Sequence, residues 1–145
     1  MINYIKKTID NKLYISESNS IIIKDNTIQY IFNFLLKNYL TNLTSREKIT
    51  KKIFRYKSKI PIYVDKENLY ICIRSYRLEN SFYINYHSII SYEFVDNYVI
   101  VNFLSNHSMK LRYKYTFLKQ LEKCKEIIMY TEKKKLVSLC KIEVI

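Results

Sequence analysis

The side chains with the clearest chemical potential are cations. Arg46, Lys48, Lys51, Lys52, Arg55, Lys57 and Lys59 fall within fourteen residues, opposed there only by Glu47. The six net positive charges of this stretch are half of the formal +12 of the 145-residue chain. Such a cluster suits a polyanion. Duplex DNA presents closely spaced phosphates, and each Lys or Arg that neutralises one releases condensed counterions, which gives affinity without base-specific contacts. The bland alternative is a solvated face in a lysine-rich protein. A second strip, "MKLRYKY", alternates Lys110, Arg112 and Lys114 with Leu111, Tyr113 and Tyr115. On a strand that spacing places three cations on one face, where they repel unless an anion is near.

Catalytic chemistry has little to stand on. The chain contains no glycine, so a phosphate-cradling loop of the Walker or dinucleotide type is excluded as normally built. His87 and His107 stand at no metal-ligand spacing from each other or from a cysteine. His87 reads as a polar residue at a strand end and His107 as a solvent-facing residue in a turn. The carboxylates are scattered, so no paired acid/base site is visible. Cys72, Cys124 and Cys140 form no paired motif and read as buried free thiols. No enzymatic activity, cofactor or metal is expected.

These side chains must be positioned by one fold. A hydrophobic content of 48%, with 15% aromatic residues, is ample for the core of a single domain spanning residues 1–145. The best membrane candidate, Tyr30 to Leu40, contains Asn33, Lys37 and Asn38 and is too short to span a bilayer. The N-terminus shows no signal-peptide pattern, so a cytoplasmic protein is expected. The wealth of Ile, Lys, Asn and Tyr reads as mutational pressure toward A and T in the coding DNA. That pressure accounts for part of the charge but not for its clustering.

Along the chain, "NYIKKTI", "KLYIS" and "SIIIK" read as small strands in a meander. Ile28, Ile31, Phe32, Leu35, Leu36, Tyr39 and Leu43 then recur at helical intervals behind candidate caps Asp25 and Asn26. After the basic segment, Pro61 forces Ile60 toward an extended conformation and opens a strand. Strands follow at "PIYV", "NLYICI", "SFYINY", "IISYEFV", "YVIVNFL" and "MKLRYKY", the last two forming a hairpin, with turns at "DKEN", "DN" and "SNHS". Thr116 is placed to cap a second helix whose buried stripe is Phe117, Leu118, Leu121, Cys124, Ile127 and Ile128. The closing "LVSLCKIEVI" reads equally as strand or helix. The pattern is α+β: a twisted antiparallel sheet with one helix before the basic segment and a C-terminal helix packed on the sheet.

No helix-turn-helix, zinc-finger or basic-zipper pattern is present. A DNA ligand would then be read by strands, loops or arms, and basic residues entering a narrow A·T-rich minor groove would fit, because that groove concentrates negative potential. Aromatic stacking on RNA is a rival, but most of the fifteen tyrosines lie at core-like positions and no RNP-type motif appears.

"LTSREKIT", "YKSKIPIYVD", "SFYINYHSI" and "VNFLSNHSMKLRYKYTFLKQ" together resemble, in order and spacing, the competence transcription factor (ComK) family over about Ile31 to Lys125. The resemblance implies a regulator that binds A·T-rich promoter DNA through the minor groove, generally as a homo-oligomer, and activates DNA-uptake genes. By position, Arg46 and Lys48 match the family's basic turn, Lys59, Pro61 and Ile62 its strand entry, Ile84 and His87 its aromatic-histidine run, and Asn106 its hairpin. Arg46 and Lys48 are then phosphate or groove contacts, Lys51, Lys52, Arg55, Lys57 and Lys59 position the duplex, and Arg112 and Lys114 make a second contact. Ser45 and His107 stand where the family favours glycine, so both turns need a non-glycine residue or another geometry. The competing reading is a non-enzymatic interaction module whose basic surface meets an acidic protein or anionic lipid.

Overall fold

A computed structural model of the chain describes the backbone of residues 1–143 and the side chains of residues 1–133. Among the described residues nine strands form two antiparallel sheets. The larger holds six, β1 (Ile2–Lys7), β2 (Leu13–Glu17), β3 (Ser20–Lys24), β4 (Ile62–Asp65), β5 (Asn68–Arg74) and β6 (Phe82–Asn85), in the order β3-β2-β1-β6-β5-β4. The smaller is a meander of β7 (Ile89–Val95), β8 (Tyr98–Phe103) and β9 (Ser108–Leu111). The α+β class, the meander at the N-terminus and the β8–β9 hairpin are as the sequence implies.

Two cores lie on opposite faces of the larger sheet. One joins Ile5, Leu13, Ile15, Tyr70, Cys72 and Tyr83 to Ile28, Ile31, Phe32 and Leu36 of helix α1 (Ile28–Leu36). The other joins Leu69, Ile71, Ile73 and Ile84 to Val99, Val101 and Phe103 of β8 and to Phe117, Leu121, Cys124 and Ile127 of helix α3 (Lys114–Glu143). Strand β5 is buried on both faces, which explains why "NLYICI" is apolar without alternation. Truncating a centrally placed ring such as Phe32, which meets Tyr70 and Tyr83 edge-on, costs about 3–5 kcal/mol.

Several expectations are corrected. The cap of α1 is Thr27, whose hydroxyl accepts from the Tyr30 amide at 3.1 Å, not Asp25 or Asn26. The helix does not run on to Leu43. Leu40 turns left-handed (φ 57°), and a separate helix α2 (Leu43–Phe54) starts behind Asn42, whose side chain accepts from Ser45 N at 2.9 Å. The basic segment is thus largely helical, and α1 is followed by a second helix before β4. Helix α3 begins at Lys114, two residues before Thr116, and its backbone continues through most of "LVSLCKIEVI" to Glu143. The expected stripe on α3 is right, with Leu118 and Ile128 half-buried. Cys72 and Cys124 are buried free thiols; Cys140 lies outside the described side chains. Burial pushes the Cys72 thiol up to about 11.

Without glycine, the turns are made by other residues. Eight described residues have positive φ, among them Asn11, Asn80, Asp96 and Asn106, the types that tolerate it best, and also Ser18, Leu40, Arg55 and Lys59. In the β8–β9 hairpin Asn106 takes the left-handed position (φ 64°), so His107 does not need to. Ser45 lies inside α2, where no turn exists.

Candidate nucleic-acid interface

Helix α2 passes over the outer edge of β4. Leu43 enters the first core, Phe54 packs against the second, and Glu47 and Thr50 complete the inward stripe. At its C-terminus Arg55 turns left-handed (φ 60°), and the next left-handed residue, Lys59 (φ 49°), ends a five-residue loop. This loop is tied to α3. Tyr56 stacks on Phe54 at 5.3 Å, and its hydroxyl donates to Glu126 Oε2 at 2.9 Å. Lys123 Nζ donates to the carbonyl of Ser58 at 2.9 Å, and Lys59 Nζ to Thr116 Oγ1 at 3.1 Å.

The decisive tie is Gln120, which is 1% exposed. Pairing between β4 and β5 stops at Ile62 and Tyr70. Just beyond, Gln120 Oε1 accepts from Cys72 N at 2.9 Å while its Nε2 donates to Lys59 O at 2.6 Å. The side-chain amide stands in for a missing rung of the ladder and holds the loop against the sheet.

The loop therefore separates two basic clefts. One, of about 480 Å³, is lined by Lys51, Lys57 and Lys59 with Arg74 at the end of β5, Arg77 from the β5–β6 connection and Tyr113. The other, of about 510 Å³, is lined by Arg55, Lys57 and Lys59 with Lys119 and Lys123 of α3 and Tyr115. Lys57, Ser58 and Lys59 border both. Among the described residues Glu47 is the one carboxylate lining either cleft, and it is engaged by Arg77 at 2.8 Å. Among the described residues, none of the remaining cleft cations forms a salt bridge. Burial, reinforced by nearby Lys119 and Lys59, holds the Lys123 ammonium below its usual range. An anion in the second cleft would relieve that penalty.

Not every cation singled out in the sequence converges here. Lys51, Arg55, Lys57 and Lys59 do. Arg46, in α2 rather than a turn, lies on the other flank over the Tyr63 ring (5.6 Å), in a cleft that also holds Asp65, Glu67 and Glu132. Lys48, likewise helical, and Lys52 point to solvent from α2. The strand expected to present Lys110, Arg112 and Lys114 on one face ends at Leu111, so the three do not share one. Lys110 and Arg112 lie over Tyr98, at 4.1 and 5.9 Å, and Lys114, opening α3, lies 4.9 Å from the Phe94 ring.

Sequence reasoning missed Arg74, Arg77, Lys119 and Lys123. The last two had a signal, since they sit four apart beside the buried stripe of α3; Arg74 and Arg77 had none. His107 is not solvent-facing. It is half-buried, with Nδ1 2.8 Å from Ser105 Oγ and Nε2 3.4 Å from Ser16 Oγ, and it bridges the two sheets. No group of metal-ligating side chains occurs among the described residues, and no described helix is long and apolar enough to cross a membrane.

A two-sheet α+β fold carrying a basic double cleft is the setting in which the comparison with known families falls. The profile of the family described as ComK protein matches residues 3–136. The chain belongs to this family of competence transcription factors. No curated protein and no solved structure matched the chain.

Proposed function

We propose that this protein regulates transcription in the cytoplasm by binding A·T-rich promoter DNA through the minor groove, and that it activates DNA-uptake genes. It acts as a homo-oligomer, without enzymatic activity. The observation that carries the reading is the double cleft, where cations from α2, its following loop, the β5–β6 connection and α3 meet around a single, already engaged carboxylate. Phosphates are contacted by Lys51, Arg55, Lys57 and Lys59 together with Arg74, Lys119 and Lys123. Arg46, Lys48 and Lys52 on α2, and Arg112 and Lys114 beside the aromatic rings, are outlying contacts reached by a duplex that runs beyond the clefts.

Equilibrium competition tests the reading. Unlabelled A·T-rich duplex should displace a labelled A·T-rich probe far better than G·C-rich duplex does. Log affinity should fall with log salt at a slope of roughly −6 for about seven phosphate contacts. Equal displacement by both duplexes would reduce the protein to a generic polyanion binder. Better displacement by single strands would favour RNA, and tighter binding to anionic vesicles than to any duplex would favour the membrane-surface module.

A further inference from the structure

Strand β7 is exposed over nearly its whole length, with Ile90 at 64%, Tyr92 at 41% and Phe94 at 42%. It hydrogen-bonds to β8 on one side, and among the described residues no strand lies on the other. Proteins protect such edges with lysine, proline or very short strands. β7 has seven residues, no proline and no cation, and its single charge is Glu93. In a chain with 25 Lys and Arg, where the cation against the strand is Lys114 over the Phe94 ring, a protein of charge +12 repels its own copies less along such a strip than elsewhere.

We infer that β7 is the self-association edge, pairing antiparallel with β7 of a second copy about Tyr92. The inference rests on the proposed homo-oligomer and fixes where its contact lies. Register follows from chemistry. Centred on Tyr92, the pairing sets Tyr92 against itself and Phe94 against Ile90 at the bulge; Tyr92 and Phe94 lie on the face that β7 shares with the buried Val99 and Val101. Aromatic and aliphatic cross-strand pairs of this kind stabilise sheets. On the opposite face Ser91 meets Glu93, so no like charges are opposed; a bulge between Ile89 and Ser91 turns Ile89 inward, opposite Phe103. Centring on Glu93 would oppose two carboxylates, and centring nearer either end would shorten the overlap. A groove of about 500 Å³ lined by Ile89, Ile90, Tyr92 and Leu121, with His87 and Lys125 also on its wall, runs beside the strand, where the second copy's Phe94 is set. The product is one six-stranded sheet, β9-β8-β7 continued by its symmetry mate.

Of the other free edges, β3 is shorter and carries Lys24, and β9 has four residues including Lys110. Sedimentation velocity on the full chain, with cysteine cross-linking, tests the assignment. The native protein should sediment as a dimer. Glu93→Lys, at an exposed position, should weaken the dimer about tenfold or more. Ser91→Lys, facing Glu93 of the other copy, should tighten it by about two- to tenfold. Tyr92→Cys should cross-link on mild oxidation, since directly opposed Cβ atoms lie about 5 Å apart and a small adjustment brings them to disulfide distance; Phe94→Cys alone should not. A native protein that stays monomeric would overturn both the homo-oligomer and this interface. A dimer indifferent to Glu93→Lys and not cross-linked through Tyr92→Cys, or one lost instead in Ile22→Lys on β3, would overturn the β7 assignment and leave self-association standing.

Discussion

Two five-residue stretches, "RYKSK" at 55–59 and "KLRYK" at 110–114, carry the same pattern, a cation at every second position. Their fates differ. In the first, the intervening Tyr56 anchors the loop on α3, and Arg55, Lys57 and Lys59 are left to border open clefts with cations from other elements. In the second, the strand ends at Leu111 and all three cations settle against the rings of Tyr98 and Phe94. An aromatic face satisfies part of a cation's field and so reduces what it can offer to a phosphate. Equal spacing therefore does not give equal availability; what lies beneath each side chain decides.

That contrast is broken most severely at Gln120. Gln120→Leu removes both amide hydrogen bonds, strands Cys72 N and leaves Lys59 O with only the 3.4 Å contact from Lys123 Nζ, at a cost of roughly 1–3 kcal/mol. The denaturant midpoint should fall accordingly, and duplex affinity should fall with it as the 55–59 loop loosens. An unchanged midpoint would mean the loop is held by something else. Next in size, Lys57→Ala should weaken all duplexes alike and flatten the log–log salt dependence by roughly one unit. Arg112→Ala should change it by clearly less; equal changes measured by fluorescence anisotropy would erase the distinction between the two stretches.

A subtler substitution separates backbone from charge. Arg55 holds a left-handed conformation at the helix C-terminus, where glycine is favoured. Arg55→Gly should stabilise the fold by about 1 kcal/mol while lowering DNA affinity. Movement of both quantities in the same direction would count against the split. The smallest effect is on pH. Burial holds the His87 imidazole below its ordinary value, so the unfolded chain takes up the proton first as pH falls. Stability is intact above about pH 6.5 and declines below it as pH approaches the folded value. His87→Gln should remove that component from denaturation curves recorded across this range, and identical slopes would show that His87 does not contribute.

Much of the fold was legible because its signals are local. The hairpins of β1–β3, the β8–β9 pair and the stripes of α1 and α3 follow from alternation or helical spacing within a few residues. α2 was not legible. Its inward stripe of Leu43, Glu47, Thr50 and Phe54 includes a carboxylate and a hydroxyl, while Ile49 and Ile53 face outward. A buried Glu47 makes sense only once Arg77, thirty residues on, is seen beside it. The interface was half legible: clustering pointed to Lys51, Arg55, Lys57 and Lys59, but not to the partners that surround them.

The sequence by itself determined the sign and concentration of the charge, the absence of glycine that forces asparagine, aspartate and even arginine into left-handed turns, and the periodicities that set most strands and two helices. Each is a property of composition or of neighbours along the chain. Only tertiary structure decided which cations remain available, because that depends on groups distant in sequence: a glutamine on α3 that replaces a rung between β4 and β5, a carboxylate tied up by Arg77, and aromatic rings that meet one lysine strip and not the other.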